Sequence, residues 1–109
     1  MSTINWINEQ DDIILTLVNV NDIRRTLKHI RNLVGYRYRR WLARYERLGI
    51  DVQEFRDRLN GPPGEYEVND PRFTPLKKAV SKLEDATLNM AALWNYINNL
   101  DQRILAIQE

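Results

Sequence analysis

Residues Asp22–Leu48 read DIRRTLKHIRNLVGYRYRRWLARYERL, and the spacing inside this stretch decides the fold. Apolar residues recur at steps of seven, at Val20, Leu27, Val34, Trp41 and Leu48, and steps of three and four from these add Ile23, Ile30, Tyr38 and Tyr45. At roughly 100° per residue these positions share one arc of an α-helix. The nine basic residues of the stretch are Arg24, Arg25, Lys28, Arg31, Arg37, Arg39, Arg40, Arg44 and Arg47, against two acids, Asp22 and Glu46. Nearly all of the basic side chains fall on the complementary arc. The spacing therefore predicts a long amphipathic helix with a basic, aromatic-flecked outer face.

A second pattern of the same kind closes the chain. Leu76, Leu83, Met90, Ile97 and Ile104 recur every seven residues, and a parallel row, Ala79, Ala86, Leu93, Leu100 and Ile107, lies beside it. Leu88, Tyr96 and Leu105 widen the sector towards the C-terminus. Two adjacent rows are more than one partner helix covers. Either the apolar run IILTLVNV (13–20) folds back onto this helix or another copy of the chain does. Thr74 followed by Pro75 is a helix start, an N-cap and then proline at the first helical position.

Between the two patterns Gly49 resembles a C-terminal glycine stop. Asp51 with Glu54 three positions on resembles a capping box for a short helix over 52–59, with Val52, Phe55 and Leu59 turned inward. Asn60–Phe73, NGPPGEYEVNDPRF, holds three of the four prolines and is expected to be a connector, because Pro62 and Pro63 lack the donor that a helix needs. At the N-terminus, periodicity does not decide between strand and helix for IILTLVNV. No second strand candidate exists to pair with it, so helix is expected. Asn19, Asn21 and Asp22 are all good N-caps, so either one helix runs from about residue 4 to 48 or a short helix precedes a longer one.

The bulk properties narrow the classes. A chain of 109 residues is one domain with a modest core. Its 43% hydrophobic and 28% charged residues fit a folded globular chain rather than a disordered one. The absence of cysteine removes disulfides, thiolate nucleophiles and cysteine-bound metals. No apolar run reaches the roughly 20 residues of a membrane span. MSTINWINEQDD lacks a basic n-region and an apolar h-region, so no signal peptide is expected there. A cytoplasmic or virion-associated setting fits. The net charge of +1 hides a segregation: residues 1–22 carry −4, 23–48 carry +8, 49–75 carry −3, and 76–109 balance. A basic block between acidic ones calls for an anionic partner, whether a polyanion, an acidic protein surface, or acidic residues of the same or a neighbouring chain.

Few residues carry chemistry. His29 is the single histidine, and with Arg24 it spells R-x4-H. This resembles the catalytic motif of HEPN ribonucleases, all-helical domains of about this length. The resemblance covers six residues, and it would imply an RNA-cleaving site built from Arg24 and His29 of two chains. In that family the motif opens a late helix; here it lies inside the first long one, with Arg25 after Arg24. The competing reading makes both residues members of a solvated basic face. Glu9, Asp11 and Asp12 lack the spacing of a calcium loop, GPPG opens no helix as a phosphate turn would, and Ser2 and Ser81 have no flanking glycines. No cofactor, metal or small-molecule substrate is inferred, and the chain is expected not to be an enzyme.

The expected architecture is all-α. A hairpin of long antiparallel helices is joined by a connector (49–74) with its short helix, and the N-terminal segment packs across it in a small, oligomeric bundle. The expected role is a helical assembly module. Arg24, Arg25, Lys28, Arg31, Arg37, Arg39, Arg40, Arg44 and Arg47, with Tyr36 as the stacking ring, would contact nucleic acid. Tyr38, Trp41 and Tyr45 lie on the apolar arc and are expected in the core. Leu93, Trp94, Ile97, Leu100, Ile104, Leu105 and Ile107 are either a wide core stripe or a self-association or partner face. A purely structural or adaptor subunit, for example of a viral particle, would turn the arginines against acidic protein surfaces.

Overall fold

In the computed structural model, which describes residues 2–59, 71 and 73–108, the chain is all-helical: α1 (Thr3–Leu15), α2 (Val20–Leu59) and α3 (Phe73–Gln108). α2 and α3 form a long antiparallel hairpin, and α1 lies across one side of it. The molecule is a rod of 66 × 21 × 16 Å. Its long dimension matches the roughly 60 Å that a 40-residue helix spans at 1.5 Å per residue. The connector expected at 60–73 lies almost wholly outside the described residues, as does the side chain of Leu59.

Local chemistry explains the starts and the break. The Ser2 hydroxyl caps α1 by accepting from the Asn5 N–H at 3.1 Å. α1 closes at Thr16, whose hydroxyl donates to the Ile13 carbonyl at 2.7 Å. Leu17 and Val18 leave the helix, and Asn19 starts the next one. Its Oδ1 accepts from the N–H groups of Asn21 (2.8 Å) and Asp22 (3.2 Å), two donors that a helix start leaves orphaned. A short helix thus precedes a longer one. IILTLVNV is only partly helical, and it is Ile14 together with Trp6 that folds back onto the hairpin.

The core joins all three helices: Trp6 and Ile14 from α1; Leu27, Ile30 and Val34 from α2; Leu93, Tyr96, Ile97 and Leu100 from α3. Of the two rows on α3, the alanine–leucine row is the one that disappears. Ala86, Leu93 and Leu100 have no exposed surface, whereas Leu76, Leu83 and Met90 are half-buried. Val52, Ala79 and Ala86 are also buried, outside the cluster that joins the three helices.

The glycine stop does not occur. α2 runs through Gly49 without a break, so the predicted helix end and the separate short helix over 52–59 are corrected to one 40-residue helix. The physical reason is that the seven-step row continues: Val34, Trp41, Leu48 and then Phe55, with Val52 one turn before it. Burying that row outweighs the roughly 1 kcal/mol that a mid-helix glycine costs. Asp51 and Glu54 are ordinary helical residues, and Arg56 and Arg58 sit in the last turn, where cations favour the helix dipole. α3 starts at Phe73, just before the expected Thr74–Pro75 cap, with the Thr74 N–H bonded to the Pro71 carbonyl at 3.2 Å.

A β-carbon at Gly49 would meet nothing within 4 Å. Gly49→Ala is therefore expected to raise stability by roughly 0.5–1 kcal/mol, read as a higher urea midpoint. A lower midpoint would mean that the backbone at 49 needs glycine and that α2 ends there.

Candidate nucleic-acid interface

The sequence pattern predicts one basic face, but packing divides it in two. With Val34 taken as the centre of the buried seam, Arg37, Arg40, Arg44 and Arg47 lie on one side of α2, and Arg24, Lys28, Arg31 and Arg39 on the other. α1 packs on the first side, where the Arg37 guanidinium lies over the Trp6 ring at 4.1 Å.

Several predicted contact residues are already engaged within the chain. Arg31 donates through Nε to Asp101 on α3 at 3.0 Å. Arg25 pairs with Asp22 one turn back at 2.7 Å, both side chains well exposed. Arg24 turns towards the C-terminal end of α3, where its Nη2 donates to the Ile107 carbonyl at 3.5 Å and its Nε is buried. That position suits a cation facing unpaired helix carbonyls. Arg24 and Arg31, expected as nucleic-acid contacts, thus already tie α2 to α3. The same geometry separates Arg24 from the exposed His29, so no cleft holds the two together within one chain.

The Arg37–Arg47 row is different. Among the described residues, none of its four guanidinium groups has a carboxylate within ion-pair distance. Two of them lie over rings on their own helix: Arg40 over Tyr36 at 5.8 Å and Arg44 over Trp41 at 5.2 Å. A guanidinium held near a ring by a cation–π contact is partly ordered, and its N–H donors suit phosphate oxygens. Arg37, Arg40, Trp41 and Arg44 together line a concavity of about 490 Å³. A second concavity continues along the same flank past Arg47, where Asp51 is the one acid in its lining, opposite Lys82 of α3. Lys28 and Arg39 are exposed on the other side.

The aromatic assignments shift as well. Tyr36 is exposed, as expected, but its ring serves Arg40. Trp41 and Tyr38 are half-buried, and Tyr45 is exposed rather than in the core. On α3, Leu93, Ile97 and Leu100 are consumed by the intramolecular core, so they are not available as a partner face. Ile104 and Ile107 are half-buried. Trp94 (52% exposed) and Leu105 (61%) remain at the surface, and Trp94 stacks on Tyr38 with centroids 5.5 Å apart.

Sequence reasoning missed the clamp that fixes α1. The Asp11 carboxylate accepts from Arg103 at 2.6 Å and from the Tyr96 hydroxyl at 3.1 Å, and Thr3 donates to Asn89. These contacts set α1 parallel to α3. A signal was present, since Arg103 is the lone base after Lys82. The clamp decides where α1 stops and hence how much of the arginine row stays open.

Comparison with known proteins gives no match: no family model, curated protein or solved structure is similar to this chain. No described helix is long and apolar enough to cross a membrane.

Burial, followed by the Asp11 charge and the hydrogen bond to it, pushes the Tyr96 hydroxyl well above its ordinary value, with Arg103 pulling the other way. A folded-state value above the unfolded one near 10 means a contribution to stability that is intact below pH 10 and lost as pH rises beyond it. Tyr96→Phe is expected to cost about 1 kcal/mol at neutral pH and to flatten the fall in stability above pH 10 relative to wild type. Parallel curves for the two proteins would show that Tyr96 does not clamp α1.

Proposed function

We propose that this chain is a non-enzymatic helical binding module. Its Arg37–Arg40–Arg44–Arg47 row contacts the phosphates of nucleic acid, and it joins a copy of itself or a larger complex through the exposed apolar surface near Trp94 and Leu105. The observation that carries the proposal is the contrast within one helix. Arg24, Arg25 and Arg31 have partners in the chain, while four arginines in a row have no carboxylate partner among the described residues, three of them lying over aromatic rings. Isolated surface ion pairs contribute under about 1 kcal/mol each, so fold stability does not account for the open row. Repulsion between neighbouring cations is relieved when counterions or phosphates neutralise them.

A second reading has its own observation. The Trp94–Tyr38 pair lies in a groove with Arg39, Asn32 and Asn98 on the side away from α1, a mixed aromatic and polar surface of the kind protein partners use. In that reading the module is an adaptor and its cations meet acidic side chains.

The two readings part on salt. The logarithm of the affinity for a short oligonucleotide is expected to fall linearly with the logarithm of salt concentration. Replacing Arg40, Arg44 and Arg47 by glutamine should reduce that slope by about 2–3, whereas Arg25→Gln leaves it nearly unchanged. No binding at about 50 mM salt, or a slope indifferent to the triple change, would reject the nucleic-acid role and leave the adaptor reading.

A further inference from the structure

We infer that the concavity around Trp41 receives an unpaired base, so that the nucleic acid this flank takes is single-stranded. The inference rests on the polyanion-binding reading of the arginine row and names the form of polyanion. The lining carries the argument: an indole among three guanidinium groups, Arg37, Arg40 and Arg44, around about 490 Å³. That volume lies within the roughly 300–1,000 Å³ typical of small-ligand sites. Phosphates need only cations, and any exposed lysine or arginine supplies those. An indole adds nothing to phosphate binding, but it matches the flat face of a nucleobase, as does the plane of a guanidinium.

Position excludes the alternative use of the ring. Trp41 is half-buried and packs partly against the core, so it does not project far enough to reach base edges at the floor of a duplex groove. It is reached only by a base that comes to it. In a duplex each base face is covered by its stacked neighbours, whereas in a single strand the face is open. The row also contains no lysine: positions 37, 40, 44 and 47 are all arginine. They span about 15 Å of helix, enough for a few nucleotides, with the indole between the second and third cations. The Arg44 guanidinium, 5.2 Å from the ring centre, would share the base with Trp41.

The full chain is titrated, with affinities compared per phosphate at one salt concentration, with three probes: a single-stranded oligothymidylate about 12 nucleotides long, the corresponding duplex, which carries twice the phosphates, and inorganic polyphosphate, which has no bases. Oligothymidylate should bind more tightly than the duplex and quench tryptophan emission, and polyphosphate should bind with little quenching. Trp41→Leu should weaken oligothymidylate at least about fivefold and leave polyphosphate unchanged, while Trp41→Phe, which keeps a ring, should stay within about twofold of wild type. Circular dichroism confirms the fold of each variant; should Trp41→Leu be misfolded, Arg44→Lys, which keeps charge and loses the plane, must show the same selective loss. Equal loss for oligothymidylate and polyphosphate, or no loss for either, overturns the base site while leaving the phosphate row standing. No binding of polyphosphate by the wild type overturns the phosphate row itself, and the base site with it.

Discussion

The apolar seam between α2 and α3 is the constraint on which the rest of the molecule depends. Leu27, Ile30 and Val34 pack with Leu93, Ile97 and Leu100 at the level where α1 docks, and Val52, Ala79 and Ala86 are buried as well. Each fully buried aliphatic side chain contributes roughly 1.5–3 kcal/mol relative to exposure. That sum keeps α2 helical across a glycine. No charged or polar side chain is buried among the described residues, so registry comes from shape and from the ties at the rim. Those ties, Arg31–Asp101 and Arg103–Asp11, are partly exposed and individually worth little. They act by choosing one docking position among several that an apolar seam would tolerate.

From that choice the electrostatics follow. Fixing the rotation of α2 about its axis sends Arg24 and Arg31 towards α3 and directs Arg37, Arg40, Arg44 and Arg47 to the side where α1 ends. Three acids are engaged away from the row: Asp11 on the α1 clamp, Asp101 on Arg31 and Asp22 on Arg25. What remains is a line of cations with the Tyr36 and Trp41 rings beneath them. The open row is a product of where the acids are placed as much as of the number of arginines.

Much of the fold could be read from the residues, because a seven-step apolar row depends on one helix at a time. Val20–Leu48 and Leu76–Ile107 announced the two long helices, whereas Asn19, Asn21 and Asp22 left open whether a break precedes the first. The end of α2 was misread because a local cue, glycine followed by an Asp-x-x-Glu pattern, was set against a row whose next member, Phe55, stood seven residues past Leu48. The site was legible in its cast but not in its arrangement. Interleaved rings and arginines in YRYRRWLARYER marked the flank. Nothing in the chain order says that Arg31 meets Asp101 seventy residues later, that Trp6 carries Arg37, or that Leu93, Ile97 and Leu100 would be covered by the molecule itself. Those depend on which side of the hairpin α1 takes, and on the lone Arg103 that holds it there.

The central claim, one unbroken α2 that sets its arginines in a straight line, is tested most directly by a single distance. The chain has no cysteine, so Arg25→Cys and Arg56→Cys, both at exposed positions of α2, accept spin labels at two defined sites. Thirty-one residues of continuous helix at 1.5 Å each place the labels about 45–50 Å apart, with a narrow distribution in a dipolar electron–electron resonance measurement. A broad distribution, or one centred below about 35 Å, would mean that α2 is not one continuous helix between residues 25 and 56.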